Sequence, residues 1–310
     1  MPSANQTKDQ IARESNHRAR LAVPAFAGGF LYLLSAIIIS GTLAGAPSVG
    51  LLQGLGPALS GVANPAVSPR TPEVKFISEH AFALIAGSAL AAIAIAALTL
   101  VLLTLLDATR FRRPQTWAAA YPLVLVGGIA VAIVSIGHQI ASSIETHNFV
   151  VGANHSNQQV EHALTNGTAN TIADYIDLLA GLALAAGMIG TMINALRVGL
   201  LPRWMAFLGM FTALLIFLPI GGAELQVVPA FWIVMMGLLY MGRWPKGEPP
   251  AWAAGEARPW PSQAQLRAEA QAAKAGLSPS PAAAGVAPAP VPAAVPASSR
   301  KRRRKRGGSA

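Results

Sequence analysis

The chain has no cysteine and few charged residues, and both shortages restrict the kind of protein it can be. With no Cys among 310 residues, disulfides, thiolate-bound metals and thiol catalysis are excluded. Only 12% of the residues are charged and 53% are hydrophobic, whereas a soluble domain carries about 25% charged residues. Because so few charges cannot cover this apolar surface in water, the sequence predicts a protein that is covered by a lipid bilayer.

Signatures of the common enzyme classes are also missing from the sequence. There is no phosphate-binding glycine loop, no nucleophile elbow and no HExxH metal motif. We therefore predict no catalytic residue, no metal site and no cofactor. A non-enzymatic protein is favoured over an intramembrane enzyme.

Six apolar runs predict helices that cross a hydrocarbon core about 30 Å thick. The first run has a rival interpretation as a signal peptide, because Ala44-Gly45-Ala46 resembles a cleavage site. However, it exceeds the usual length of about 7–15 residues, and Pro47 would follow the cut. We expect this run to be retained, which gives an all-α, polytopic fold with six transmembrane helices in a domain at 21–244. The predicted spans are 23–44, 77–106, 120–144, 172–196, 204–222 and 227–244.

The basic residues predict how these helices are oriented. With the N-terminus inside, all 23 Lys and Arg residues except Arg70 and Lys75 would lie on the inner side. Short loops with such a bias orient membrane proteins strongly. We therefore expect an inner (plasma) membrane protein with both termini in the cytoplasm. The N-terminal segment 1–20 should be solvated, and the segment 245–277 should lie against the cytoplasmic face.

The tail at 278–310 is almost only Ala, Pro, Val and Ser before a basic block, a composition that predicts disorder. Attraction of the block to anionic lipid headgroups would contribute about 1 kcal/mol per basic residue. A tail that serves topology and solubility is an equal alternative. Nucleic acid is not an expected partner, because the sequence lacks a supporting fold or interleaved aromatic residues. The block comprises Arg300, Lys301, Arg302, Arg303, Arg304, Lys305 and Arg306.

The stretch 138–177 carries most of the unusual chemistry, with four His, four acidic residues and no Lys or Arg. If the third helix continues to Glu145, several of its polar residues share one face, and the same holds for the fourth helix. Because one loop joins these helices, they should be antiparallel neighbours with facing polar stripes near the outer membrane boundary. The stripe on the third helix comprises His138, Ser142 and Glu145, and the stripe on the fourth helix comprises Asn170, Asp174, Asp177 and Gly181.

From these stripes we predict a binding site that contains His138, Glu145, Asp174 and Asp177, with His80 at the same level of the second helix. Asp177 lies about one turn inside an apolar run, where a carboxylate is usually paired or faces a cavity. The alternative is a carboxylate that the dipole of its own helix stabilises near the N-terminus. Both interpretations stay open.

Imidazole and carboxylate together also suit zinc and other divalent ions. The intervals between the histidines match no familiar ligand pattern, so a solvated polar loop is favoured over a metal site. We expect His147, His155 and Glu161 to be loop residues. A pH-sensing role has no stronger support, because histidine titrates near physiological pH wherever it lies.

Residues 199–204 (GLLPRW), followed by Leu208-Gly209, resemble the start of the penultimate helix in a set of bacterial multi-pass membrane proteins of unassigned function. Residues 28–34 are similar to their first helix, and 242–245 with 249–252 to their C-terminal endings. The resemblance implies a six-helix fold and brings no reaction and no functional residues. Apart from the resemblance, Arg203 should reach lipid phosphates, and Trp204 should lie at the membrane interface.

Two functions are carried forward from the sequence. The first is a non-enzymatic membrane protein that binds or senses a small ligand, an ion or a proton from the outer side, or that scaffolds partners. The alternative is a small secondary transporter or proton-coupled carrier that uses His138 and Asp177. A transporter should show internal repeats and broken helices at the midplane. No repeat is evident, and Pro219 with Gly221-Gly222 lies near a span end. Expected partners are the bilayer, anionic headgroups, and a second copy or another membrane protein.

Overall fold

The computed structural model describes residues 4–50, 67–218, 223–244 and 248–261, together with positions 53, 56, 59–61, 264, 265, 267, 268 and 271. The chain divides into two units, Met1–Trp260 and Pro261–Ala310. Almost all of the second unit lies outside the described residues. The predicted disordered tail and its basic block therefore lie outside them, as do Pro219 and Gly221-Gly222.

The described residues are helical, with one isolated β-bridge between Val67 and His155. Four helical stretches are long and apolar enough to cross a membrane: Asn5–Ala44, Ala81–Arg112, Ala120–Val151 and Asn157–Val198. Two shorter apolar helices cover Arg203–Phe217 and Leu225–Tyr240. The predicted all-α class is confirmed for the described residues, and the long apolar helices are those expected of a membrane protein.

The helices are α1 (Ala4–Ala44), α2 (Thr71–Glu79), α3 (Ala81–Arg112), α4 (Ala120–Val151), α5 (Asn157–Glu161), a π-helix (His162–Asn166), α6 (Thr168–Val198), α7 (Arg203–Phe217), α8 (Ala223–Tyr240) and α9 (Pro250–Ala254). The apolar helices pack as a closed ring in the order α1, α3, α4, α6, α7 and α8, with α8 against α1 again. Helix α3 also contacts α6 across the ring. The main hydrophobic core fills this ring and includes Leu98, Leu184, Met188 and Trp232.

One end of the ring, which we call the base, holds the start of α1, the end of α3 and the turn between α6 and α7. Here the Arg112 guanidinium donates to both carboxylate oxygens of Glu14, at 2.8 and 2.7 Å. Arg18 pairs with Glu248 at 3.0 Å, and its guanidinium lies 4.3 Å from the ring centre of Trp252. The prediction that 1–20 is solvated is wrong for Glu14 and Arg18, which are buried, because the segment after α8 covers them.

The segment 248–260 docks on the turn between α6 and α7, where the GLLPRW element begins. Gly199 ends α6 with a φ of 85°, a left-handed conformation that favours glycine. A Cβ at this position would also collide with the carbonyl of Arg258. The indole N–H groups of Trp252 and Trp260 donate to carbonyl oxygens of the turn, at 3.0 and 2.7 Å. The element therefore holds the C-terminal segment against the base.

The opposite end carries a small cap outside the main core, formed by α2, the last turns of α4, α5 and the π-helix. Val74, Phe149, Val160 and Ala163 form a separate hydrophobic cluster that holds these elements together. The backbone N–H of Ser68 donates to the carbonyl of His155 at 2.8 Å, which ties the chain before α2 to the loop after α4. Most of the predicted polar loop is therefore part of a folded cap.

Candidate functional site

Helices α4 and α6 are antiparallel neighbours, and their polar residues meet at two levels. At the lower level, nearer the middle of the ring, His138 Nδ1 is 3.4 Å from Asp174 Oδ1. The two side chains remain 39% and 63% exposed, so other parts of the chain do not enclose this contact. This contact becomes an ion pair only when the imidazole is protonated.

Asp177 is exposed one turn deeper along α6 than Asp174. The next turn of α6 is covered, because Gly181 packs against Phe217, the last residue of α7. Asp177 and Gly181 therefore lie on the same face of α6. Helix α7 covers this face at Gly181 and ends before the level of Asp177.

The length of α7 explains this opening. Its 15 residues rise about 22 Å, which is less than the ~30 Å hydrocarbon core. Helix α6 has 31 residues and rises about 46 Å. Because α7 starts near the base end of α6, it stops at the level of Gly181 and leaves the outer turns of α6 without that neighbour.

At the upper level, the Asn170 side-chain amide donates to Glu145 Oε2 at 2.7 Å. Asn170 is buried, and the carboxylate of Glu145 lies against Gly167, where any Cβ would collide with it. Gly167 precedes the first turn of α6, which has no side-chain cap of its own. A carboxylate is favoured at this end of a helix by the helix dipole. Glu145 therefore stabilises the start of α6 and requires glycine at 167.

Beside Glu145, the cap contains a cleft with a volume of ≈ 320 Å³ between the end of α4 and the α5–π-helix segment. Its lining combines one carboxylate, three carboxamides, one imidazole and a few apolar residues. The residues are Glu145, Asn148, Phe149, Gly152, Ala153, Asn154, Gln159, His162 and Ala163.

Arg70, the cationic residue just before α2, is bound away from this cleft. Its guanidinium donates to both carboxylate oxygens of Glu73, at 2.8 and 3.0 Å. This hydrogen bonding raises the pKa of Arg70, partial burial opposes the rise, and the charges of Glu73 and Glu161 add to it. The arginine therefore does not neutralise Glu145.

His80 is separate from the other predicted site residues. Its Nδ1 is 2.9 Å from the carbonyl oxygen of Phe76, and its ring stacks on the Phe76 ring with 4.0 Å between centres. Within the described ranges, no hydrogen bond or ion pair joins His80 to His138 or Asp177. The predicted set is therefore distributed over three places: the lower pair with Asp177, the Glu145–Asn170 contact, and His80 between α2 and α3.

The prediction of loop positions is wrong for His147 and Glu161, because α4 continues to Val151 and Glu161 ends α5. His155 does lie in the loop between these helices, where its ring contacts Phe149 at 4.9 Å. In the part of the chain that the structure describes, no group of three His, Asp or Glu residues is placed to hold a metal ion.

The sequence does not predict the cleft residues Asn148, Asn154 and Gln159. A usable signal was the density of Asn and Gln at 148–159, which covers the end of α4, the following loop and the start of α5. Of the predicted lipid contacts, Arg203 donates to the carbonyl of Trp260 at 3.3 Å, and Trp204 stacks on Trp244 with ring centres 5.7 Å apart. Trp204 remains 47% exposed at the base.

No protein-family model, curated protein or solved structure matches this chain. The functional conclusion therefore depends on the chemistry of the residues described above. An imidazole and two exposed carboxylates can exchange protons.

Proposed function

We propose that this chain is a non-enzymatic membrane protein with six spans, which binds a proton from the outer side at His138, Asp174 and Asp177. The observation that carries the proposal is the His138–Asp174 contact of 3.4 Å, with Asp177 exposed beyond the end of α7. Ionisable residues within a membrane span are costly and commonly mark ion or proton sites.

The orientation in this proposal rests on the basic residues. Arg70 precedes α2 and Lys75 lies within it, at the cap. The other described basic residues of the unit Met1–Trp260 lie at the base, near the start of α1, at the ends of α3, α6 and α8, or in the segment 248–260. A cytoplasmic base follows from the preference of Lys and Arg for that side. In this orientation the short helices α7 and α8 complete the six spans, and the cap faces out.

The site can gain or lose a positive charge, because the imidazole of His138 can be protonated or neutral. Protonation of His138 creates an attractive pair with Asp174 and places a positive charge near Asp177. The His138–Asp174 contact would then be an ion pair under acidic conditions and a contact with a neutral imidazole under neutral conditions, which is a difference that a sensor requires.

A secondary transporter is the second candidate, and one observation favours it. The base is closed by the buried Glu14–Arg112 pair and by Trp252, whereas Asp174 and Asp177 are exposed at the other end. A carrier open to one side has this asymmetry, with its site between helices. In this alternative, Asp177 binds the transported or coupling ion, and the base opens in another state.

The test compares the parent chain with Asp177→Asn in proteoliposomes. Tryptophan fluorescence is followed between about pH 5 and 8, and proton flux is measured with an internal pH dye under a sodium or potassium gradient. A pH response that is lost in Asp177→Asn, without flux, supports binding or sensing. Flux that requires Asp177 supports transport.

Glu79→Gln is the matched control, because Glu79 is an exposed acid on the same side at the end of α2. It should behave like the parent protein in both measurements. If Asp177→Asn also matches the parent in both, the proposed role of Asp177 is wrong.

A further inference from the structure

The cleft in the cap has a preformed wall. Phe149 and Ala163 line it and also belong to the hydrophobic cluster that joins α2, α4, α5 and the π-helix. Because these residues are packed on their far side, the wall keeps its shape without a ligand. The volume of ≈ 320 Å³ lies at the lower end of the range for small-molecule sites, which is about 300–1,000 Å³. A bare inorganic ion would leave most of this space unfilled.

The start of α6 and the Asn170 amide favour the carboxylate in the cleft, but no basic side chain of the described residues pairs with it. Glu145 is partly buried there, and its described side-chain partner is the neutral amide of Asn170. Among the described residues, no Lys or Arg forms an ion pair with Glu145, and Arg70 is held by Glu73. A carboxylate that is partly removed from water is costly without an opposite charge. The cleft therefore suits a ligand that brings a positive charge.

The remaining polar groups of the cleft are suited to a ligand with several N–H donors. The carboxamide oxygens of Asn148 and Gln159 accept hydrogen bonds, and His162 offers a further ring nitrogen. His162 is also the first residue of the π-helix. Such turns are uncommon and often occur at functional sites.

From this geometry we infer that the cleft binds a small organic ammonium ion of the size of a short diamine. The ammonium group contacts Glu145, and the rest of the ligand lies along Phe149 towards Gln159 and His162. The inference is independent of the proposed proton site, because His138, Asp174 and Asp177 do not line this cleft. It assigns a second, outward-facing ligand to the same membrane protein.

The test uses the full chain in detergent, titrated with putrescine by calorimetry. We expect saturable binding that weakens about tenfold or more in Glu145→Gln, since a hydrogen bond to a charged group is lost. Glutamine keeps the size of the side chain and an acceptor for Asn170, so the start of α6 is retained. Binding should persist in Glu79→Gln and in Asp177→Asn, which separates this inference from the proposed function.

A second variant keeps the test informative if Glu145→Gln unfolds. Ala153 is an exposed residue of the cleft, so Ala153→Trp should fill the cleft and abolish putrescine binding while the fold is retained. Ala169→Trp, at an exposed position outside the cleft, is its control. The inference is overturned by an absence of saturable binding in the parent, by equal binding in Ala153→Trp, or by equal binding of the uncharged 1,4-butanediol.

Discussion

At the base, Arg112 Nη2 lies 2.7 Å from Glu14 Oε2 and the two side chains are 0% and 7% exposed, whereas at the cap end His138 and Asp174 are 3.4 Å apart and 39% and 63% exposed. The base pair also has further partners, because Arg112 donates to the carbonyl of Ala251 at 3.0 Å. The outer pair has one contact, and both of its side chains are exposed. One end therefore uses charge to hold helices together, and the other presents charge that a ligand can reach.

The difference has a physical origin in what covers each end. At the base, the segment after α8 folds back and places Trp252 over both Arg18 and Arg112. At the other end, α7 ends at Phe217, so this helix does not cover Asp174 and Asp177. Burial makes an ion pair costly to break but fixed in place, while exposure makes it weak but exchangeable. Three substitutions test this contrast.

The largest effect is expected from Arg112→Ala at the base. It leaves the Glu14 carboxylate buried without its partner and removes the hydrogen bond to Ala251, so the free energy of unfolding should fall by about 3–5 kcal/mol. Denaturant unfolding in detergent micelles, followed by tryptophan fluorescence, measures this change. The adjacent Arg113→Ala, at an exposed position, should change stability little. Equal losses in the two variants would mean that the base pair is not structural.

An intermediate effect is expected from Gly167→Ala at the start of α6. The new methyl group collides with the Glu145 carboxylate, so overpacking should lower the free energy of unfolding by about 1–3 kcal/mol. The control is Gly137→Ala, which lies in α4 with no atom within 4 Å of the added carbon. That control should be neutral or stabilise the helix by up to about 1 kcal/mol. A stable Gly167→Ala variant would contradict the close packing of Glu145 against α6.

The smallest effect on stability is expected from Asp174→Asn. An exposed pair contributes about 0–1 kcal/mol, so the unfolding free energy should change by no more than this. When tryptophan fluorescence is followed between about pH 5 and 8, the response of Asp174→Asn should nevertheless be smaller than that of the parent protein, because His138 loses its carboxylate partner. A loss as large as that of Arg112→Ala would remove the distinction between the two ends.

The meeting of α4 and α6 follows from spacing that is visible in the sequence. His138 and Glu145 lie seven positions apart, as do Asn170 and Asp177, so each pair shares a helix face. The connection at 152–167, which contains α5 and the π-helix, brings the two helices together. Spacing predicts which residues share a face, whereas the contacts of His138 with Asp174 and of Glu145 with Asn170 also depend on the register between the helices.

Other contacts have no local signature. Glu14 and Arg112 are 98 positions apart, and each looks like an ordinary charged residue beside an apolar run. Trp252 lies in a Pro-rich segment whose composition suggests a peripheral position, yet it is buried between arginines. The cleft likewise depends on how α5 and the π-helix fold back on α4. Such arrangements depend on which helix ends meet when the ring closes, and no single segment encodes that.

The sequence by itself determined that this chain is helical and suited to a membrane, because charge content and apolar run length depend only on local composition. It also determined which polar residues share a helix face, because the helical period is constant. Only the tertiary structure decided which charged groups are covered and which are open. That outcome depends on the end of α7 at Phe217, beyond which Asp177 remains exposed, and on the return of Trp252 to the base, where Glu14 and Arg18 are buried.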